Sequence, residues 1–245
     1  MKLNYLSVVF VFLATMGQAQ ALKNTVKTNV TAFAFRNFNL TYERAINDRF
    51  AVNVGYNIVG KGDIPMVKTF LSDEDLEEFK DIQVSSNAFT LEFRVYFGKN
   101  PNSGFYLAPY YRNSNLKIDG FTYEFEYSDP NTSTTETIPV KMNGDVKANS
   151  AGLMIGNQWL LGKNKNWVLD FWIVGGHYGK GKGDLVGVTS RTLTPDEQQA
   201  LKTEIEDLDI PVIKYTTEVN ANGGKVKIDG PWAGLRSGLS FGYRF

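Results

Sequence analysis

The chain has 245 residues with 26 Lys and Arg against 26 Asp and Glu, so it has no net charge at neutral pH and no basic excess that would suit a nucleic-acid partner. It has no cysteine, which excludes disulfides as a source of stability. Aromatic residues make up 13% of the chain, a content that suits the aromatic girdles of a membrane barrel.

The N-terminal 21 residues have the order of a secretory signal peptide. Lys2 precedes the apolar run 5–14, and small residues follow. Cleavage after Ala19 or after Ala21 fits the small-residue rule and leaves 22–245, a length that suits a single domain. The apolar run is shorter than the roughly 20 residues of a spanning helix. No later segment supplies one, so membrane residence would have to use strands.

Alternation of apolar with small or polar residues predicts eight strands, each with one apolar face. In the clearest, 50–58, every second residue is Phe, Val, Tyr or Ile, and Ala, Asn and Gly fill the gaps. Arg44 falls on the apolar face of the second strand, so it either snorkels to a membrane interface or marks a bulge. The predicted strands lie near 24–35, 38–47, 49–60, 86–98, 104–127, 136–162, 166–180 and 231–245.

The connections between the predicted strands are mostly short at one end and long at the other. Short turns are rich in Asn, Gly and Pro, and long loops are expected near 61–85, 128–137 and 181–230. Outer-membrane barrels place their short turns in the periplasm and their long loops outside the cell. An even number of strands then puts both termini in the periplasm.

Two of the long loops carry the start signals of helices. The segment 72–80 begins with Ser and early acidic residues. The second signal is stronger, because Thr194 is followed by Pro195 and, three positions after the cap, by Glu197. This capping box predicts a helix that runs to about Leu208.

Two hairpins are predicted to rise above the membrane. The first is centred on 222–224, between the strand-like segments 212–219 and 225–228. The second arises because the fifth and sixth strands exceed the about 9–11 residues that cross a bilayer. Their outer ends are expected to meet around 129–131.

A secreted soluble barrel would show the same alternation with its faces reversed. The interior of an eight-stranded barrel is too small for that arrangement, because it has room only for side chains or one small ligand. Large residues such as Phe89, Phe93, Trp167 and Phe171 therefore belong outside. We favour an all-β fold, an eight-stranded antiparallel transmembrane up-and-down β-barrel in the bacterial outer membrane, with helix- and hairpin-containing extracellular loops.

The C-terminal strand carries large apolar side chains at every second position, at Leu239, Phe241, Tyr243 and Phe245. With this motif the chain resembles the small outer-membrane β-barrel proteins of Gram-negative bacteria, of the OmpA and OmpX architecture. The resemblance implies contact with outer-membrane lipid and lipopolysaccharide, and recognition of this motif by the barrel-assembly machinery. The segments 27–29 and 40–45 also resemble a subfamily described only as a domain of unknown function.

Charged residues on the opposite strand faces are expected to form a paired network in the lumen, because charges in a narrow, low-dielectric barrel must be paired. A narrow ion path is the alternative, and it is disfavoured because barrels of this size are filled by side chains. The lumen-facing residues are Lys27, Glu43, Glu92, Arg94, Arg112, Asp170, Arg236 and Arg244.

The single histidine, His177, is a candidate catalytic base at the outer end of the seventh strand. A nucleophile needs an adjacent base and the base an orienting acid. Residue 179 is Gly, however, and Ser190 and Asp184 fall in the predicted loop, so an interfacial or packing histidine is favoured. With one histidine and no cysteine, no transition-metal site is expected.

Two further segments contain the residue types of binding sites without their spacing. The acids Asp73, Glu74, Asp75, Glu77, Glu78 and Asp81 lack the glycine that a calcium loop requires, so a solvated helix face is favoured. The glycine-rich segment 179–183 resembles a phosphate cradle, but no helix follows it. A hinge with basic residues near lipid headgroups is favoured instead.

These features lead us to expect a protein that is not an enzyme and needs no cofactor, whose long loops bind a partner protein or a surface ligand or reinforce the membrane. Two other functions stay open. One is a narrow, porin-like channel. The other is an enzyme that modifies outer-membrane lipid, with His177 as its base.

Overall fold

The computed structural model describes residues 23–63, 82–129, 133–207 and 214–245. The signal peptide predicted over 1–21 and the helix predicted over 72–80, with its acidic residues, lie outside this part. Within it, no helix is long and apolar enough to cross a membrane.

The described residues form one antiparallel sheet, and eight of its strands close in a ring. Each strand pairs with the next one in the chain, and the last ring strand, β9, pairs with β1. The ring strands are β1 (Asn24–Asn29), β2 (Asn37–Ala45), β3 (Phe50–Asp63), β4 (Gln83–Tyr96), β5 (Gly104–Ser128), β6 (Thr135–Leu161), β7 (Trp167–Thr189) and β9 (Gly223–Arg244), while β8 (Lys214–Asn220) pairs only with β9. The predicted all-β fold with eight antiparallel ring strands is confirmed.

Side chains alternate between the inside and the outside of the ring, as the sequence pattern predicts. In β3, for example, Ala51 and Asn53 are buried whereas Phe50 and Tyr56 are exposed. The same holds around the ring, so that its outer face is apolar. Exposed large residues include Phe38, Leu40, Leu91, Phe93, Leu153, Trp167, Phe171, Leu235 and Phe241.

The first strand is shorter than the predicted 24–35, because the chain leaves the sheet after Asn29. Residues Thr31–Phe35 form a 3-10 turn, and Arg36 ends it in the left-handed region with a φ of 53°. The Asn29 side chain replaces a strand partner here, since its oxygen accepts a hydrogen bond from the Thr31 hydroxyl at 2.7 Å. Such local bonds let asparagine compete with sheet pairing.

No bulge is needed at Arg44. The pairing of β2 with β3 runs without a register shift from Asn37 to Ala45. The Arg44 guanidinium instead donates to the side-chain oxygen of Asn24 at 2.6 Å.

The strands β7 and β9 are longer than predicted, since β7 continues to Thr189 and β9 begins at Gly223. Residues 181–189 and 223–230 are therefore paired strand and not loop. The pattern differs there because charges replace large apolar residues on one face of the two strands. Lys225 and Asp184, for example, lie on this face, and their side chains pair across the two strands at 2.8 Å.

The long strands β5, β6, β7 and β9 extend beyond β1 and β2 to form what we call the tall end of the ring. Helix α1 (Pro195–Glu206) and β8 cover this end. The predicted helix start is confirmed, since Thr194 and Glu197 form a reciprocal capping box. The hairpin predicted near 222–224 is also confirmed, and its second strand is the beginning of β9 itself.

A second apolar core lies at the tall end, separate from the interior of the ring. Its buried residues come from β5, β6 and the segment that leads into and through α1. They are Phe125, Ile138, Val140, Leu193 and Leu201. Closing a ring of eight strands does not require this core, so it stabilises a separate layer above the ring.

Candidate functional site

A buried ionic cluster occupies the interior of the ring near β1. Lys27 of β1 donates to Glu43 Oε2 at 2.6 Å and to Asp170 Oδ2 at 2.7 Å. Its third hydrogen bond goes to Gln158 Oε1 at 2.8 Å, so the ammonium group uses all three donors. The side chains of Lys27 and Asp170 are fully buried, and this pairing offsets the free energy of removing both from water.

Arg94 of β4 links the carboxylates of the cluster. Its Nη1 lies 2.7 Å from Asp170 Oδ2 and 3.1 Å from Glu43 Oε2, and its Nη2 lies 2.9 Å from Glu92 Oε2. Arg236 of β9 brings a second guanidinium to Glu92 at 3.1 Å. We define the ionic cluster as Lys27, Glu43, Glu92, Arg94, Asp170 and Arg236, in which the formal charges cancel.

Two buried tyrosines complete the hydrogen bonds of the cluster. Tyr96 donates to Glu43 Oε1 at 2.9 Å, and Tyr106 donates to Asp170 Oδ1 at 2.8 Å. The Arg94 guanidinium also lies 4.5 Å from the centre of the Tyr106 ring, within the range of a cation–π contact. Sequence reasoning missed both tyrosines and Gln158, although their positions in the alternation mark them as inward-facing.

The cluster blocks the interior of the ring at its level. Arg94, Tyr96, Tyr106 and Met154 are each at most 1% exposed there. An ion that moved along the ring axis would have to separate charge pairs whose attraction is strong in a low-dielectric interior. The arrangement is typical of a structural plug and not of a conducting pore.

Two of the predicted lumen residues, Arg112 and Arg244, lie outside the ionic cluster. Arg112 donates to Thr90 Oγ1 at 3.0 Å and to Asn57 Oδ1 at 3.2 Å, and no carboxylate of the described residues forms an ion pair with it. Arg244 is the last residue of β9 and is partly buried. It likewise has no ion pair within the described ranges.

His177 points into the ring and lacks the partners of a catalytic base. Its ring lies 6.2 Å from that of Tyr110 in an edge-on arrangement, and its buried Nδ1 has no hydrogen bond to any described residue. Asp184 is held by Lys225. Among the residues that the structure describes, no acid therefore orients the imidazole, and no hydroxyl nucleophile is bonded to it.

The remaining sequence candidates are not assembled into a metal or phosphate site. No group of His, Cys, Asp or Glu in the described ranges has the arrangement of a metal centre. Residues 179–183 lie within β7 and pair with both β6 and β9, so this segment is neither a phosphate cradle nor a hinge. Asp73 and the neighbouring acids lie outside the described residues.

The tall end contains a partly open apolar cavity of about 220 Å³, which has no local signal in the sequence. It lies between the sheet and α1, and its lining is almost wholly apolar. Side chains from five strands and the helix meet there, among them Phe121, Met142, Leu185, Leu201, Ile205 and Val226. An apolar cavity of about 150 Å³ is large enough to bind benzene, so this one has room for a somewhat larger apolar group.

Polar contacts attach α1 over this cavity. Arg191 donates to Glu197 at 2.6 Å and to Glu136 of β6 at 2.8 Å, which links the start of the helix to the sheet. At the other side, the Tyr123 hydroxyl donates to Glu204. Burial and the neighbouring Glu204 carboxylate raise the pKa of Tyr123 to about 12, so the hydroxyl keeps its proton at neutral pH.

We predict that Asp170→Asn strongly destabilises the protein. The change removes one carboxylate from the pairs with Lys27 and Arg94 and leaves buried positive charge uncompensated, which typically costs about 3–5 kcal/mol. Urea unfolding of the refolded protein in detergent micelles measures this loss. Asp229→Asn is the matched control, because Asp229 pairs with Lys180 and Lys182 at the surface, where such pairs contribute about 0–1 kcal/mol. Equal losses in the two variants would contradict a stabilising cluster.

We predict that acid loosens α1 through Glu197. Hydrogen bonds from Arg191 lower the pKa of Glu197 from 4.5 to about 2. A lowered folded-state pKa means that the stabilisation is complete above about pH 4.5 and is lost as the pH falls through about 2. The ratio of the pepsin cleavage rate of α1 at pH 2 to that at pH 4 should therefore be larger in the wild type than in Glu197→Gln, since the pH dependence of pepsin itself is common to both. Glu206→Gln, in an exposed pair with Lys202, should keep the wild-type ratio; an unchanged ratio in Glu197→Gln would refute the assignment.

Comparison with known proteins places this architecture in a family. A family model described as "Protein of unknown function (DUF3575)" matches residues 6–186, which include both segments that resemble a domain of unknown function. No curated protein matches the chain. The matched range contains most of the ring, from β1 to nearly the end of β7. The chain belongs to the DUF3575 family.

Proposed function

We propose that this protein is a non-enzymatic outer-membrane β-barrel that carries a ligand-binding layer on the outside of the cell. The observation that carries the proposal is the apolar cavity of about 220 Å³ beneath α1, in a layer that the closed ring does not need for its own stability. The cavity suits a small apolar ligand, or one apolar side chain of a partner protein.

The outer surface of the ring supports a membrane location. Soluble monomers rarely expose a continuous apolar patch larger than a few hundred Å². Here Phe38 and Leu40 are 65% and 61% exposed, and exposed apolar residues continue on each ring strand from β2 to β9. Contact with lipid and lipopolysaccharide would bury them.

The ends of the ring support the proposed orientation. The start of β1 and the C-terminal residue lie at the end with short turns, where Asn24 and Phe245 exchange backbone hydrogen bonds of 2.9 and 2.8 Å. In outer-membrane barrels this end faces the periplasm. Leu239, Phe241 and Tyr243 then face lipid in the last strand, followed by Phe245, as the proposed recognition by the barrel-assembly machinery requires.

The alternative functions have less support. A channel needs an open path, whereas the ionic cluster fills the interior with paired charges. A lipid-modifying enzyme with His177 as base would need a nucleophile and an orienting acid, and no described residue supplies either through a hydrogen bond.

We predict that the tall end is extracellular. The chain has no cysteine, so a single introduced thiol reports its own location. Glu126→Cys at the tall end should react with a membrane-impermeant maleimide on intact cells. Lys163→Cys, in the turn between β6 and β7, should react only after the outer membrane is opened. Labelling of Lys163→Cys on intact cells, or protection of Glu126→Cys, would contradict the proposed orientation.

We predict that a small apolar molecule enters the cavity and shifts the NMR signal of the Met142 methyl group. Toluene should move this signal saturably in methionine-labelled protein, while Met154, buried inside the ring, should not respond. Gly224→Leu should abolish the shift, because a side chain there lies in ordinary contact range of Ile205 and fills the cavity. Gly60→Leu, which meets open space, is the control. A Met142 shift that persists in Gly224→Leu would place the ligand elsewhere.

A further inference from the structure

The wall of the ring has a notch between β1 and β8. On one edge of β9, β1 pairs with Ser240–Arg244 and β8 pairs with Gly223–Asp229. Between them, 230–238 has no strand partner on that edge among the described residues. The 3-10 turn forms the lower rim, where the amide of Leu239 donates to the Thr31 hydroxyl at 3.1 Å. Pro231 lies in this stretch, as is usual for edge strands, because proline cannot donate to a ladder.

The notch lies within the height of the proposed membrane band. β1 has 6 residues, which at about 3.3 Å per residue and a tilt of about 45° rise roughly 14 Å. The apolar band of an outer-membrane barrel is about 25 Å tall. The remaining height on this side of the ring is the notch, so the interior faces the outer leaflet there.

A polar cavity of about 250 Å³ opens at the notch and is separate from the apolar cavity under α1. Both sides of the notch line it, with Thr31 and Phe35 on one side and Leu235 and Arg236 on the other. Its inner wall includes Arg112. The cavity therefore connects the surface proposed to contact lipid with a cationic interior.

The cavity has more positive than negative charge. Arg112 and Arg236 both line it, and Glu92 is the one carboxylate that the described residues contribute to its lining. Glu92 already pairs with Arg94 and Arg236, at 2.9 and 3.1 Å. Arg112 uses two of the five N–H donors of a guanidinium on neutral oxygens, so donors remain for a ligand.

The second guanidinium is held rigidly beside the first. Arg236 lies 4.8 Å from the ring centre of Tyr110 and 4.9 Å from that of Trp172, and its ion pair with Glu92 fixes its direction. Guanidinium groups bind phosphate and carboxylate through parallel hydrogen bonds, and less is lost when the donors are preorganised. Two guanidinium groups at one cavity thus favour an anion.

The rim of the notch suits an apolar chain. Leu235 is 82% exposed, and Phe33 and Phe35 are 46% and 45% exposed on the 3-10 turn. These side chains lie at the outer surface, where a hydrocarbon chain leaving the cavity would pass. We propose that the polar cavity binds the phosphate or carboxylate headgroup of an anionic amphiphile, whose acyl chain passes through the notch into the outer leaflet.

Native mass spectrometry of the mature protein in maltoside micelles tests this site with decyl phosphate, inorganic phosphate and decanol as probes. We expect one saturable equivalent of decyl phosphate and much weaker binding of the other two. If inorganic phosphate binds as tightly as decyl phosphate, the site binds a free anion and not an amphiphile. If decanol binds as tightly, the arginines contribute nothing to binding. Either result overturns the proposal.

Arg112→Gln should weaken decyl phosphate binding about tenfold or more, as expected for the loss of a charge-assisted contact. Arg112 has no ion pair to lose, so the variant should fold, which its heat-modifiable gel mobility checks. Arg49→Gln, an exposed arginine in the turn between β2 and β3, should bind like the wild type. Equal affinities of the two variants would overturn the proposal.

Leu235→Asp tests the same site in case Arg112→Gln does not fold. It places a negative charge at the rim without touching the ionic cluster, and it should also weaken binding of decyl phosphate about tenfold. Unchanged binding in this variant would show that the chain does not pass through the notch. Because the apolar cavity is untouched by these changes, the response of Met142 to toluene should persist, which separates failure of this site from failure of the proposed function.

Discussion

The rest of the structure depends on the need to neutralise charges inside a narrow ring of strands. Lys27, Arg94 and Asp170 come from β1, β4 and β7, which are far apart in the chain. Asp170 Oδ2 lies 2.7 Å from Lys27 Nζ and 2.7 Å from Arg94 Nη1. Ring closure brings these charges together. Any other pairing of the strands would leave some of them buried without a partner, which is energetically unfavourable. A slip of one residue in β1, β2, β4, β7 or β9 would turn a charge of the cluster toward the apolar outside, so the cluster fixes the register of these strands as well as closure.

The same constraint explains the distribution of residue sizes. An interior that holds Arg94, Tyr96 and Tyr106 has space for few other large residues, such as Met154, and small residues fill the remaining positions around them. Gly156 shows this directly, since a Cβ there would clash with the ring and hydroxyl of Tyr106, which donates to Asp170. Most large apolar residues consequently lie on the outer face, and a single packing rule produces both the plug and the apolar surface.

This rule also sets how much could be predicted from the sequence. Where one face is apolar and the other small or charged, as in 50–58, alternation predicts the strand and the direction of its side chains. It fails at Thr31–Phe35, where the Asn29 side chain ends the strand locally, and along 181–189, where Lys182 and Asp184 stand on the face that is apolar elsewhere. The partners within the cluster follow from the register of distant strands, and the apolar cavity follows from how α1 packs on the sheet, so neither has a local sequence signal.

The unequal heights of the two sides of the ring connect its features. Because β1 ends at Asn29, no described strand joins β9 to β2 and β3 above that point, and the sheet is open there in the described part of the chain. An open apolar sheet must be covered, and β8 with α1 covers the tall end from the β9 side, which creates the second core. The cover begins only at Asp229, so the stretch below it stays uncovered by any described residue. The short first strand is thus the common cause of the layer above the ring and of the notch in its wall.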